Sequence, residues 1–325
     1  MKGKLKGALV VLTILVLLFS MVACSGKETT EAAATTEKKP FNINEVKVAM
    51  LAPGLNHPFF QAVANDFERE AKKLGVQYSI LDAQLDTNRQ IAAMEDLITQ
   101  KVDMIFLIPT DGTALGPAVL QANKAGVPVI TVSRNVTEGN IVAFVGSDDL
   151  VIGMTAGNFI ATKLNGKGKV VEISGTPGTT TAQDRSRGFR MVIDTYPGLE
   201  LVASQTANYH RGQAMSVMEN IIQAHDQFDA IFAANDEMAG GVLQALKGAG
   251  RKGVILVGCN TQADAFVALQ AGEMHGDITF PPEAGSEALK IGLAYLKGEP
   301  YVPYKMIPVE LVTQHNLEKM KHKFY

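Results

Sequence analysis

The chain is poor in cysteine: Cys24 and Cys259 are the only two among 325 residues. A fold built after residue 24 holds one thiol, so no intramolecular disulfide can staple it, whatever the redox state of its compartment. Cys259 follows the apolar run 254–257 and reads as a small buried residue rather than a nucleophile. A metal site is not expected either, because no two histidines fall at ligand spacing and no acidic loop resembles a calcium loop. An excess of one charge is missing too, with 30 Lys and Arg against 33 Asp and Glu. That balance gives no basic patch for nucleic acid and no acidic tract for storing cations. Beyond the first two dozen residues no apolar run is long enough to cross a bilayer. The sequence has no G-x-S-x-G elbow, no H-E-x-x-H, no dinucleotide fingerprint and no P-loop. Residues 175–180 are glycine-rich but carry no lysine at phosphate-loop spacing. A triad of distant residues stays open, though nothing points to one, and nothing implies a cofactor.

What the chain does have begins at its first residues. Lys2, Lys4 and Lys6 precede an apolar run over 8–19, too short to span a membrane, and Met21-Val22-Ala23-Cys24 follows. This is the pattern of a secretory signal peptide over 1–23. Cys24 at the cut resembles the lipobox of bacterial lipoproteins, in which the cysteine is lipidated. An ordinary signal peptide with an incidental cysteine is the alternative. Either way the remaining chain is expected to be extracytoplasmic, and on the lipobox reading a lipid on Cys24 is its membrane anchor. Residues 24–44 are rich in Thr, Ala, Glu and Lys, cannot bury enough apolar surface to fold, and read as a flexible linker.

From residue 45 short β-branched runs alternate with amphipathic stretches. Strands read at 46–51, 77–81, 104–108, 127–132 and 141–145, then at 169–173, 199–204, 230–234 and 254–257. Helices read between them, at 58–74, 87–100, 113–125, 149–164, 181–196, 211–224, 236–249 and 261–271. Such alternation implies parallel sheets covered on both faces, and two successive series imply two α/β lobes. Ligands of such sheets bind beyond the carboxyl ends of the strands. Polar residues stand at those ends: His57, Asp111, Ser133 and Arg134, Ser147 and Asp148, Asn235 and Asp236, Asn260 and Thr261. Asp148, Asp236 and Thr261 are expected to be helix N-caps, and Asp111 a turn residue with Gly112. On the residues alone, Arg134 and Arg185 serve equally well as solvated surface charges.

The segments Asn56-His57-Pro58-Phe59-Phe60, Pro109-Thr110-Asp111, Pro128-Val129-Ile130-Thr131, Asp184-Arg185 with Gly188-Phe189, Asn235-Asp236-Glu237-Met238 and Val257-Gly258 carry a resemblance. In this order they resemble the periplasmic sugar-binding proteins of ABC transporters, the ribose-binding type in particular, over about 46–312. The resemblance implies an α/β fold of two doubly wound parallel-sheet lobes joined by a three-strand hinge, the type I periplasmic binding protein. The lobes are expected at 45–147 with 281–304 and at 148–280 with 305–325, crossing near Ser147, Phe280-Pro281 and Tyr304-Lys305. The LacI-type repressors share this core but carry a helix-turn-helix where this chain has its export signal.

Carried over by position, Phe59 and Phe60 match the aromatic pair against a sugar ring, and Tyr209 an aromatic of the opposite lobe. Both phenylalanines also suit core packing. Arg185 matches the arginine whose planar fork donates to sugar oxygens, Arg134 matches a further arginine of the family pattern, and Asn235 matches an amide that both donates and accepts. The departures are Ser133 and Asn260 where the ribose type has Asp, Phe280 at a late polar position, and His57 in place of Asn. Losing two strong acceptors changes the hydroxyl pattern a site accepts. The expected ligand is therefore a deoxy sugar, a polyol or a small non-sugar, not ribose. The resemblance implies a monomeric carrier that closes on its ligand and delivers it to an ABC permease. The alternatives are a sensor presenting ligand to a chemoreceptor or histidine kinase, and an extracellular enzyme, which no nucleophile–base pair supports.

Overall fold

The computed structural model describes residues 41–325. The expected signal peptide, Cys24 and most of the expected linker lie outside the described residues. The linker was expected to reach Asn44, but structure begins earlier. Ile43–Glu45 form a 3-10 turn capped by Asn42, and Lys297 lies over the Phe41 ring.

The first sheet contains β1 (Lys47–Ala52), β2 (Gln77–Asp82), β3 (Met104–Leu107), β4 (Val129–Val132), β5 (Ala143–Gly146) and β11 (Tyr304–Met306). Its order is β11-β5-β4-β3-β1-β2 and every pairing is parallel. The runs of β3 and β4 are buried at every residue, as parallel strands covered on both faces require. Its helices are α1 (Pro58–Leu74), α2 (Thr87–Thr99), α3 (Gly116–Lys124) and α9 (Ala284–Lys297). Pro58 opens α1, where its missing N–H costs nothing, and Gly75 ends it in the left-handed conformation at φ 75°. Phe59, Val63, Phe67 and Ala71 form its buried face.

The second sheet holds β6 (Lys167–Ser174), β7 (Gly198–Thr206), β8 (Ala230–Ala233), β9 (Ile255–Asn260), β10 (Gly276–Thr279) and β12 (Leu311–Val312). Its order is β12-β10-β9-β8-β6-β7. It is parallel except at its edge, where β12 runs antiparallel to β10. Its helices are α4 (Asp149–Lys163), α5 (Thr180–Ile193), α6 (Arg211–Ala224), α7 (Asp236–Gly248), α8 (Ala263–Gln270) and the short α10 (Leu317–Met320). The backbones of α4 and α5 approach so closely that a Cβ on Gly153 would stand 2.0 Å from the Arg185 carbonyl oxygen. A glycine is required there, and the close approach brings Asp149 to Arg185.

The chain passes between sheets three times: after β5 into α4, after β10 into α9, and after β11 into β12. α9 is fixed in the first lobe by Asp66 of α1, whose carboxylate accepts from the Ser286 N–H at 2.7 Å. The third passage lies later than the expected Tyr304-Lys305. Tyr304–Met306 pair with β5, and the Ile307 N–H still donates to Gly146. Only at Glu310, bonded both ways to Thr279, has the chain joined the second sheet. Among the described residues no helix is long and apolar enough to cross a membrane.

Candidate functional site

Ten of the eleven residues expected at the site line one cavity between the lobes: His57, Phe59, Phe60, Ser133, Arg134, Arg185, Tyr209, Asn235, Asn260 and Phe280. They come from the loop after β1 and the first turn of α1, from the carboxyl ends of β4, β8, β9 and β10, from the loop after β7, and from α5. This is where a parallel sheet presents its ligand site. Ser147 is buried at the first crossing but does not line the cavity. Thr181 lines it and was missed. The signal was available, since Thr181 lies four residues before Arg185 and so on the same helical face.

One wall of the cavity is largely aromatic. Phe59 packs edge-on to Phe60 with ring centroids 5.5 Å apart, and Phe280 lies against Phe59 at 4.6 Å. The Arg185 guanidinium sits 4.4 Å from the Phe280 centroid. Arg134 lies 4.9 Å from the Phe60 ring and 5.5 Å from that of Tyr209. Phe280, which departs from the polar residue of the ribose type, thus extends the apolar wall and gives Arg185 a face to stack on.

The polar groups are held from behind. Asp149 accepts from Arg185 Nε at 2.8 Å, and the Ala234 carbonyl accepts from its Nη1. Burial opposes the charge of Arg185, but Cys259, Asp149 and Tyr209 outweigh it and leave its pKa raised. Asn235, not Asp236, caps α7. Its Oδ1 accepts from the Met238 N–H, so its amide nitrogen donates to His57 Nε2 at 3.2 Å. That polarity assigns the ring proton of His57 to Nδ1. Burial, then Arg134, lowers the His57 pKa to about 4, so the ring is neutral at physiological pH. His57 Nδ1, Ser133 Oγ, Arg185 Nη2 and Asn260 Oδ1 are buried and have no hydrogen-bond partner in the protein. Unsatisfied groups of this kind converging on a cavity are suited to a ligand rich in hydroxyls.

The cap assignments divide. Asp148 caps α4 through the N–H groups of Leu150 and Val151, and Asp111 holds the turn at Thr113 and Ala114. Asp236 and Thr261 are not caps. Asp236 is buried and accepts from the Gln262 N–H at 2.8 Å, while Thr261 donates to the Lys323 carbonyl. The loops they leave carry strain. Ser133, Tyr209 and Asn260 line the cavity with φ of 60°, 61° and 131°, and the β-branched Thr261 sits at 62°. Such residues persist where the surrounding fold over-determines them, and they gather at functional sites. Among the described residues no three His, Cys, Asp or Glu side chains gather as a metal site would require.

Two parallel-sheet lobes with three crossings and a site in the cleft define the type I periplasmic binding protein fold. A family model described as periplasmic binding protein domain matches residues 48–300, and the chain belongs to that family, in its ribose-binding type. The ribose import binding protein of Bacillus subtilis is 35% identical over 310 residues, covering 95% of this chain and 99% of the relative. A solute-binding protein of an ABC transporter from Bacillus halodurans, solved with myo-inositol, superposes with a TM-score of 0.83. It is 29% identical and covers 87% of this chain and 99% of its own. The fructose-binding periplasmic domain of a hybrid two-component system reaches 0.82 at 27% identity, covering 85% of this chain and 93% of its own. This is a family of extracytoplasmic ligand-binding transport proteins, not of enzymes.

Proposed function

We propose that the protein captures a sugar or polyol outside the cytoplasm by closing its lobes and delivers it to an ABC permease. The ten cavity residues named above are the ligand-binding set, with Thr181 added. The observation that carries this reading is the convergence of unpartnered polar atoms and ring faces, from both lobes, on one cavity. The closed walls leave ≈ 20 Å³, room for about one water. A sugar ring displaces far more, so the lobes must part at the three crossings to admit it and close to bury it. Binding shifts that equilibrium, and the permease reads the closed form.

Cys24 is proposed to carry a lipid that anchors a monomeric carrier to the membrane. Cys24→Ser is expected to release the protein from the membrane fraction, which fractionation of expressing cells would measure. The central test is thermal unfolding against pentoses, hexoses, deoxy sugars and polyols. A ligand bound only by the folded state raises the melting temperature. A shift with one compound, abolished by Arg185→Ala, supports the carrier, and no shift across the panel removes the carbohydrate reading.

A sensor is the second reading, favoured by the likeness to the fructose-binding domain of a two-component system. Loss of ligand uptake on deletion of the gene favours the carrier. Unchanged uptake with a lost transcriptional response favours the sensor.

A further inference from the structure

The eleven residues that line the cavity include two guanidiniums and no carboxylate. Asp149 meets the charge of Arg185 from behind. Nothing comparable meets Arg134. Its side chain is buried, its Nη1 donates to the Pro109 carbonyl at 3.3 Å, and among the described residues no carboxylate lies within ion-pair distance. Its other neighbours are the ring faces of Phe60 and Tyr209. Burial correspondingly lowers its pKa. Holding an unpaired cation in the interior is costly, and a counter-ion would offset that cost. The positions best placed to supply one are neutral: Ser133 precedes Arg134 in the chain, and Asn260 lines the same cavity. Their unpartnered Oγ and Oδ1, with His57 Nδ1 and Arg185 Nη2, supply hydroxyl partners around the charge.

We propose that the ligand brings the missing counter-ion: a carboxylate on a polyhydroxylated carbon skeleton, a sugar acid, seated on Arg134. One positive charge without an ion-pair partner matches one carboxylate, and a planar guanidinium takes a carboxylate through two parallel hydrogen bonds. This rests on the capture of a sugar-like ligand and narrows its chemistry.

The test is calorimetric titration of the protein with matched pairs: xylose and xylonate, galactose and galacturonate, erythritol and erythronate. Propionate and butyrate serve as carboxylates without hydroxyls. The expected result is that one acid binds at least tenfold tighter than its neutral partner, and that Arg134→Gln removes the advantage. If Arg134→Gln does not fold, Asn260→Asp serves instead. By placing a carboxylate in the cavity it is expected to weaken the acid at least tenfold relative to the neutral partner. Binding of neutral sugars as tightly as their acids, or an acid preference that survives the substitutions, overturns the proposal and leaves the sugar carrier standing. Binding of propionate or butyrate without any sugar acid keeps the anion site and removes the carbohydrate reading. Binding of none of these removes both.

Discussion

Arg185 and Arg134 line one cavity from opposite lobes, yet they are held in different ways. Arg185 is held by its Nε on Asp149, by its Nη1 on the Ala234 carbonyl and by Phe280 beneath its plane, which leaves only Nη2 without a partner. Arg134 has one long bond to a carbonyl and two ring faces. The first is pre-organised and therefore also structural, whereas the second keeps most of its hydrogen-bonding capacity for a partner from outside. An arginine at a site can thus be part of the wall or part of the receptor, and its partners tell which.

The largest expected effect breaks this comparison directly. Arg185→Met strands Asp149 in the interior, and removing one partner of a buried pair costs about 3–5 kcal/mol. Arg134→Met strands no charge and removes a buried cation that has no ion-pair partner, so stability is expected to hold or rise. Urea unfolding of the two variants measures the difference. Equal losses would mean that Arg134 is structural too. In the double variant Arg185→Met with Asp149→Leu, stability is expected to return while ligand binding does not, because the carboxylate is no longer left unpaired.

The second comparison is between the lobes' buried titratable groups, which respond to pH in opposite directions. His57 of the first lobe is held neutral, with a pKa lowered to about 4 by burial and then Arg134. The unfolded chain takes up a proton near 6.5, so stability is lost as pH falls from about 6.5 to 4, by roughly 3 kcal/mol at most. Asp236 of the second lobe is pushed up to about 6 by burial, and burial and Asp236 push Asp277 up further. There the unfolded chain releases protons that the fold retains, so stability is lost as pH rises from about 4 through 6. His57→Asn is expected to flatten the acid side of the stability profile, and Asp236→Asn to lessen the loss on the alkaline side. Unfolding followed from pH 4 to 8 would show whether each limb belongs to its own lobe.

The two ends of the chain differ in how much of the fold was legible from sequence. Through residue 271 the helices and strands follow from β-branched runs and apolar spacing, with ends displaced by a few residues. Beyond it β10, α9, β11 and β12 had no reading. The three strands there are two to four residues long, too short to show a period, and β11 has no buried residue. Their place is set by pairing with distant strands, which also moved the third crossing past Met306. The cavity residues were legible through the resemblance. Thr181 was not, because it has no family mark and shows its role only as a neighbour of Arg185 on one helix face. The caps failed where tertiary demand exceeded local preference: Asp236 was drawn inward to the Gln262 N–H, and Asn235 took the cap.

The smallest effect compares the cavity with the rim of the cleft. At the rim the Gly112 N–H donates to the Gly178 carbonyl at 3.3 Å, and the Asn135 N–H to Thr180 Oγ1 at 3.3 Å, both across the lobes. A Cβ on Gly178 would stand 2.1 Å from Asp111 Oδ2, an atom of the other lobe. Gly178→Ala therefore opposes closure without touching either lobe's core or any cavity residue. Ligand affinity is expected to fall by about tenfold, the equivalent of 1.4 kcal/mol between open and closed forms, with unfolding of the unliganded protein nearly unchanged. Asp111→Ala in the same chain removes the clash and is expected to restore most of the affinity. If the double variant binds no better than Gly178→Ala alone, the rim is not in contact when ligand is held, and closure is governed by the cavity walls.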